Sequence, residues 1–102
     1  MVAKTAHRHG GHQWTKMAHM IRDRDALAAA RWDTKCPHCG TLASRTPFCV
    51  DHIDPVSQGG PEFDADNLIS ICQPCNLTWG NKPKPAPIRR RLIALAQRRN
   101  RR

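Results

Sequence analysis

Residues 36–82 read CPHCGTLASRTPFCVDHIDPVSQGGPEFDADNLISICQPCNLTWGNK, and this stretch decides the fold of the chain. Its two Cys-x-x-Cys pairs are Cys36 with Cys39 and Cys72 with Cys75, separated by 32 residues. Each pair presents two sulfurs from one side of a tight turn, and four thiolates suit tetrahedral Zn²⁺. A redox disulfide would need only one pair, within a thioredoxin-like alternation of strands and helices that this length does not supply. The spacing therefore predicts a structural zinc site.

The composition also favours a metal-stabilised domain. The 102 residues include no Tyr, two Phe and three Trp, so large side chains that could fill a core are scarce. No apolar run approaches the roughly 18 residues of a membrane span, and the N-terminus lacks the apolar segment of a secretion signal. We therefore expect an intracellular protein, in which persistent disulfides are rare.

The fifth cysteine, Cys49, lies in a short apolar run. We expect it to be a small hydrophobic residue of the core. A catalytic thiol is the alternative, but an apolar strand offers no obvious feature that would lower its pKa. His38, inside the first cysteine turn, is expected to be an exposed turn residue, with replacement of a cysteine ligand as its alternative.

Two strands and a helix are predicted between and after the cysteine pairs. The apolar run from Pro47 predicts a first strand that ends with Asp51 and His52. Two prolines and two glycines make residues 54–61 a loop. Residues 66–71 become apolar again and predict a second strand, after which the second cysteine turn is expected to open a short helix that ends near Gly80.

The N-terminal part combines an arm and a helix. Residues 1–12 are polar, basic and His-rich, which predicts a mobile arm; metal binding by these histidines is the alternative, but their spacing matches no ligand pattern. From Gln13 to Trp32 apolar residues recur near helical spacing, and residues 22–25 lie mostly on the opposite face. Thr15 is the candidate N-cap. Trp14 and Trp32 are expected to pack this helix on the core, with base stacking as the alternative.

The C-terminal part is strongly basic. The chain carries a formal charge of +9, and seven of its arginines lie between Arg89 and Arg102. Residues 83–87 predict a stiff, Pro-rich linker, and the apolar spacing beyond it predicts a basic amphipathic helix. Such a helix is expected to contact DNA phosphates, with a membrane surface as the alternative.

A family resemblance rests on five features in a fixed order: Asp51-His52, Gly59-Gly60, Asn67-Leu68, Cys72-x-x-Cys75-Asn76 and Gly80-Asn81-Lys82. This combination resembles the HNH endonucleases over about residues 32–82. Members of that family have a ββα-metal fold, also called the His-Me finger, in which two antiparallel strands and a helix hold one catalytic divalent cation. A subset, which this sequence resembles, adds a four-cysteine zinc site.

The resemblance implies a role for each matching residue. His52 would be the general base, Asp51 and Asn76 would bind a catalytic Mg²⁺ or Mn²⁺, and Asn67 would fix the loop and orient His52. A neutral imidazole accepts a proton near neutral pH, and hard cations prefer carboxylate and amide oxygens. Many relatives have His where this chain has Asn76, so its signature is H-N-N. This departure is expected to alter metal preference rather than abolish cleavage.

We therefore predict a small α+β domain with a structural zinc site and flanking helices that nicks or cleaves DNA with one divalent cation. A non-catalytic zinc module that binds nucleic acid is the alternative. The predicted parts are an arm at residues 1–12, a nuclease domain at 13–82, and a linker with a basic helix at 83–102. The residues expected to bind nucleic acid are Lys82, Arg89, Arg90, Arg91, Arg98 and Arg99.

Double-stranded DNA is the expected partner, bound by a monomer, and no membrane is expected to be involved. The resemblance extends to small endonucleases encoded by bacteriophages, some of which accompany the genome-packaging machinery. It therefore implies phage packaging proteins as further partners and the host cytoplasm as the location.

Overall fold

A computed structural model describes residues 11–29, 34–79 and 82–101. Within these ranges the bounds are His12–Ala28 for α1, Phe48–His52 for β1, Leu68–Cys72 for β2, Gln73–Trp79 for α2 and Ala86–Asn100 for α3. Two short 3₁₀ turns, Val56–Gln58 and Ala65–Asn67, lie between the strands. The predicted α+β class, with two antiparallel strands followed by a helix and flanked by further helices, is confirmed.

The two strands form one antiparallel pair in which Phe48 lies opposite Cys72 and His52 lies opposite Leu68. This register puts Asp51 and His52 at one end of the sheet and Cys72 at the other end. Every residue of β2 is buried, whereas β1 is half-buried except at Asp51. Because a two-stranded sheet cannot enclose a core alone, the helices have to cover it.

The core lies between the sheet, the first cysteine turn and α3. Its residues come from all three parts and are Cys36, Ile53, Ile69, Ile71, Cys72, Leu92 and Ala96. Two of the seven are cysteines of the predicted zinc site, so this site is part of the hydrophobic core. The apolar stripe predicted for the C-terminal helix supplies Leu92 and Ala96, and α3 is thereby fixed to the domain.

Helix α1 is joined to the sheet by a buried carboxylate. Asp25, with 1% of its surface exposed, accepts hydrogen bonds from Ser70 N at 2.8 Å and Arg24 Nε at 2.9 Å, and Arg99 Nη1 lies 3.0 Å away. Arg24 Nη2 also donates to Leu68 O at 2.7 Å. Residues 22–25 were predicted to lie mostly on the face opposite the apolar residues. This prediction was wrong for Arg24 and Asp25, because backbone groups at the outer edge of β2 need polar partners and these two side chains provide them.

Both outer helices differ from the predicted bounds. The N-cap of α1 is Gly11, and Thr15 lies inside the helix with its hydroxyl donating to Gly11 O at 3.2 Å. Helix α3 begins at Ala86, so the linker is shorter than predicted; Pro87 is accommodated in the first turn, where no backbone N–H is required.

Some predictions fall on residues that the structure does not describe. Residues 1–10 of the predicted arm at residues 1–12 lie outside the described residues, as do Trp32, Gly80 and Asn81. The predicted end of that arm was wrong, because Gly11 is the N-cap of α1 and His12 begins the helix. The division of the chain into three parts stays a prediction. Among the described helices, none has both the length and the apolar character that a membrane span requires.

Candidate active site and metal centre

The four predicted cysteine ligands come together in one group, here called the four-cysteine cluster. Cys36 and Cys39 lie in a turn closed by a hydrogen bond from Cys36 N to Thr41 O at 2.9 Å. Cys72 ends β2, and Cys75 lies in the first turn of α2. The four sulfur atoms all lie within 4.8 Å of one another, and those of Cys39 and Cys72 are 3.6 Å apart. Four soft donors at this spacing could hold one metal ion.

Three thiols of the cluster have shifted proton affinities. Hydrogen bonding with the side chain and then the backbone of Thr41 lowers the pKa of Cys39 to about 6. Burial raises the pKa of Cys72 and of Cys75. Because a cysteine binds a metal as the thiolate, metal binding here releases protons and is favoured by higher pH.

A second group, here called the Asp-His cluster, consists of Asp51, His52 and Asn67 at the opposite end of the sheet. Asn67, with 2% of its surface exposed, is the last residue before β2. Its Nδ2 donates to Asp54 O at 3.0 Å and Pro61 O at 2.9 Å, and its Oδ1 accepts from Asp54 N at 2.8 Å. These three hydrogen bonds tie both ends of the loop at residues 54–61 to the start of β2.

The two loop glycines meet different geometric demands. Gly59 has φ of 91°, in the left-handed region that favours glycine. Gly60 donates its N–H to Pro55 O at 3.0 Å, and a Cβ added at Gly60 would overlap the carbonyl oxygen of Asp54. Glycine is therefore favoured at position 59 by the backbone conformation and required at position 60 by the close approach of the Asp54 backbone.

The ring of His52 is held at one edge and on one face. Its Nε2 lies 3.0 Å from Glu62 O, and because a carbonyl oxygen only accepts, Nε2 carries the proton of the neutral ring. The ring of Trp14 from α1 stacks on the imidazole, with the centroids 5.0 Å apart and an interplanar angle of 22°. This arrangement puts the lone pair of the neutral ring on Nδ1, the atom that could accept a proton.

Asp51 is a buried carboxylate with 8% of its surface exposed. Its Oδ2 atom is enclosed and makes no hydrogen bond of good geometry with the residues that the structure describes. Burial raises the pKa of Asp51, against the opposing effect of the Lys84 charge. An enclosed carboxylate oxygen of this kind suits a hard divalent cation.

The structure brings Asp51, His52 and Asn67 together, and it puts Asn76 on a neighbouring element. Asn76 follows Cys75 in α2 and is half-buried. Helix α2 packs against both β1 and β2, so the residue is carried by the helix that completes the ββα unit.

The six residues expected to bind nucleic acid are differently engaged. Five have exposed side chains, namely Lys82, Arg89, Arg90, Arg91 and Arg98. Arg89 makes a bidentate ion pair with Asp54 at 2.6 and 2.9 Å, and Arg91 donates to Pro37 O at 2.9 Å. Arg99 is half-buried beside Asp25, as described above. Helix α3 therefore borders both the loop of the Asp-His cluster and the first cysteine turn.

Three contacts of the site lacked a clear sequence signal. Trp14 was expected in the core and instead covers His52, and the carbonyl of Glu62 depends on a loop conformation. Lys84, within the predicted linker, is 7% exposed, with Nζ 3.3 Å from Asp51 Oδ2. Its position between Pro83 and Pro85 is the one available signal, because these prolines favour an extended backbone.

His38 and Cys49, the two other residues considered in the sequence, lie around the four-cysteine cluster. His38 is half-buried rather than exposed, since its ring stacks on Trp79 with the centroids 5.4 Å apart. Burial lowers the pKa of His38 and raises that of Cys49. Cys49 was expected to be a buried residue of the core and is instead half-buried on β1, outside the core cluster. A raised pKa disfavours the reactive thiolate at Cys49.

Comparison with known proteins identifies the domain. Residues 36–82 match the family model described as HNH endonuclease, and they form an HNH domain. Over 53 residues, 52% of this chain, the sequence is 32% identical to the CRISPR-associated endonuclease Cas9 of Corynebacterium diphtheriae. The matched stretch is 5% of that protein's length, so the similarity is confined to a domain. No solved structure gives a significant match.

Proposed function

We propose that this protein is a metal-dependent endonuclease that hydrolyses phosphodiester bonds in DNA. The observation that carries the proposal is the environment of His52 beside Asp51. The Glu62 carbonyl and the Trp14 ring orient the imidazole, and the adjacent carboxylate has an enclosed oxygen suited to a cation. The match of residues 36–82 to the HNH endonucleases supports the same chemistry.

In the proposed reaction His52 is the general base. Nδ1 accepts a proton from the water that attacks the phosphorus atom, while the Nε2 proton stays on its hydrogen bond to Glu62 O. The bond from phosphorus to the leaving oxygen breaks as the new bond forms, and the leaving oxygen takes a proton from solvent. Because this bond stabilises the developing imidazolium, it assists the transfer as well as fixing the ring. Asn67 acts as a positioning residue, since it holds the loop that leads to Glu62.

Asp51 and Asn76 would hold the divalent cation, Mg²⁺ or Mn²⁺, through a carboxylate and an amide oxygen. Their chemistry fits a hard cation, because carboxylate and amide oxygens are the donors that Mg²⁺ and Mn²⁺ prefer. When bound, such a cation offsets the charge that develops on the phosphate and on the leaving oxygen. Asn76 is neutral, so it adds no charge that would repel the phosphate.

We further propose Zn²⁺ as the metal of the four-cysteine cluster. Four sulfur donors with no oxygen ligand favour a soft or borderline ion, and a closed set of four leaves no position for a substrate. The ion would therefore stabilise the core, to which Cys36 and Cys72 belong. It would take no part in cleavage.

The DNA is proposed to lie along the exposed face of α3 and the adjoining loop. The ion pair between Arg89 and Asp54 holds the start of α3 beside the Asp-His cluster, since Asp54 follows His52 by two positions in the chain. The exposed Lys82, Arg90 and Arg98 supply further positive charge. Arg99 is left out, because its guanidinium binds Asp25. Contacts to phosphates would provide affinity without sequence specificity.

The proposed setting follows the resemblance to small phage enzymes. A monomer would act on double-stranded DNA inside the cell, in the host cytoplasm if it is phage-encoded, and phage packaging proteins would be its partners. One active site per monomer would produce a nick in a single binding event.

Incubation of zinc-loaded protein with supercoiled plasmid tests the proposed activity. We expect conversion to the open-circular form with Mg²⁺ or Mn²⁺ and none after these ions are removed by dialysis that leaves the zinc in place. The non-catalytic alternative predicts salt-sensitive DNA binding with no nicking under any divalent ion. The latter outcome would contradict the proposal.

A further inference from the structure

The ammonium group of Lys84 lies at the end of β1, beside the Asp-His cluster. Its side chain is 0% exposed, and Nζ is 3.1 Å from Ile53 O, 3.3 Å from His52 O and 3.3 Å from Asp51 Oδ2. The same atom lies 5.9 Å from the centroid of the Trp79 ring. A buried lysine with these neighbours is a fixed positive charge, since neither its stem nor its head reaches solvent.

The chain on both sides of Lys84 keeps this charge in place. On one side, Lys82 N donates to Trp79 O at 2.8 Å, which ties the segment to the end of α2. On the other side Pro85 is the N-cap of α3, whose Leu92 belongs to the core. The ammonium is therefore supplied by a short segment that is anchored at both ends.

Hydrogen bonding to two carbonyls does not require a positive charge. A neutral donor could satisfy His52 O and Ile53 O, and burial of an ammonium is costly unless a carboxylate compensates it. Asp51 provides that carboxylate, and it also carries the enclosed oxygen proposed to bind the divalent cation. The charge of Lys84 thus acts mainly on Asp51.

We propose that Lys84 is a resident counter-ion of Asp51 that lowers the affinity of the Asp-His cluster for its divalent cation. This inference rests on the proposed function, because it takes Asp51 as a metal ligand. A fixed cation 3.3 Å from the ligand oxygen repels a second cation and stabilises the carboxylate in its absence. Metal binding would then depend on the phosphate of bound DNA to offset the added charge.

Binding of Mn²⁺ to the zinc-loaded protein without DNA tests this proposal. Lys84→Gln keeps a donor for the two carbonyls and removes the charge, and we expect its affinity for Mn²⁺, measured from the electron paramagnetic resonance signal of free Mn²⁺, to rise about tenfold. Lys84→Arg should stay near the wild-type affinity. Lys82→Met, which removes an exposed charge from the same segment, should change Mn²⁺ affinity less than twofold.

The Asp51→Asn variant separates this inference from the function on which it rests. If Asp51→Asn binds Mn²⁺ as tightly as the wild type, the proposed metal site is wrong. If Asp51→Asn loses binding while zinc-loaded Lys84→Gln has unchanged or weaker affinity, only the counter-ion proposal is overturned.

A measurement on the unaltered protein covers the case in which Lys84→Gln does not fold. Addition of Mg²⁺ should shift the ¹⁵Nζ resonance of Lys84 until the metal site is saturated. In Asp51→Asn the same addition should leave the chemical shift of this resonance unchanged. A Lys84 resonance that is unaffected by saturating Mg²⁺ in the wild type contradicts the proposal.

Discussion

The four-cysteine cluster and the Asp-His cluster occupy opposite ends of the same two-stranded sheet. Cys72 pairs with Phe48 at one end and Leu68 pairs with His52 at the other, four residues away along β2. That separation corresponds to roughly 13 Å. The first cluster contains four identical soft donors, and the second contains a carboxylate, an imidazole and an amide.

The two clusters also differ in how they are completed. The four cysteines supply a full tetrahedral ligand set by themselves, within 4.8 Å of one another. In the Asp-His cluster, by contrast, neighbours fix one edge and one face of His52, and Lys84 from another segment is the ion-pair neighbour of Asp51 Oδ2, 3.3 Å away. A centre that stabilises the fold satisfies its own groups, whereas a centre that acts on a substrate keeps some available and is held by its surroundings.

The largest expected effect comes from the four-cysteine cluster. Cys36→Ser removes one of four sulfur ligands and should lose the bound zinc, unfold at ambient temperature and lose cleavage as a consequence. Binding of a structural zinc ion contributes on the order of 10 kcal/mol to folding. Zinc content by mass spectrometry and thermal unfolding by circular dichroism measure the effect.

Cys49→Ser is the matched control for that change, because Cys49 is half-buried on β1 but lies outside the four-cysteine cluster. It should retain one zinc per chain and unfold only a few degrees earlier. Wild-type zinc content and stability in Cys36→Ser would remove the basis for separating a structural centre from a catalytic one.

Asn67→Ala should affect the Asp-His cluster while leaving the other cluster intact. The substitution leaves backbone groups of Asp54 and Pro61 without their partner, at a cost of about 3 kcal/mol. Nicking should fall, zinc content should stay unchanged, and amide hydrogen exchange should rise in the loop at residues 54–61. Asn100→Ala removes two exposed hydrogen bonds, one from Arg24 Nη1 at 2.9 Å and one to Asp66 Oδ1 at 2.7 Å, and should cost about 1 kcal/mol without raising exchange in the loop at residues 54–61.

Equal loop exchange in Asn67→Ala and wild type would show that the loop does not depend on this side chain. Loss of zinc from the same variant would instead show that the two clusters depend on each other, which would contradict their separate roles.

Trp14→Ala tests the smaller contribution of stacking. An aromatic pair contributes about 1 kcal/mol beyond buried area, so the variant should lose roughly fivefold in kcat with little change in KM. Trp14→Phe keeps a ring over the imidazole and should recover most of the loss. A purely structural Trp14 would lower thermal stability and leave kcat of the folded fraction unchanged, and that pattern would exclude a role in positioning His52.

Features that depend on local spacing were predictable from the sequence. The cysteine pairs, both strands and the turn residues of the loop follow from short-range patterns, and the structure has strands at Phe48–His52 and Leu68–Cys72. The four-cysteine cluster was predictable for the same reason, since a Cys-x-x-Cys turn largely determines its own geometry. The roles assigned to Asp51, His52, Asn67 and Asn76 came from the order of motifs and stay predictions.

Features that depend on distant packing were not predictable. Asp25 lies on α1 yet binds the backbone of Ser70, and Trp14 reaches His52 from a helix more than thirty residues earlier in the chain. Helical periodicity gives the face of a residue but not the element packed against it. Lys84 is the sharpest case, because a lysine in a Pro-rich linker predicts a solvated charge and the structure buries it beside Asp51.

Plasmid nicking by His52→Ala tests the central claim, that chemistry takes place at the Asp-His cluster and fold stabilisation at the four-cysteine cluster. We predict that the variant retains one zinc per chain, the wild-type melting temperature within a few degrees and DNA binding, while its nicking rate with Mg²⁺ or Mn²⁺ falls at least about a hundredfold. A zinc-loaded His52→Ala that nicks as fast as the wild type would contradict the account.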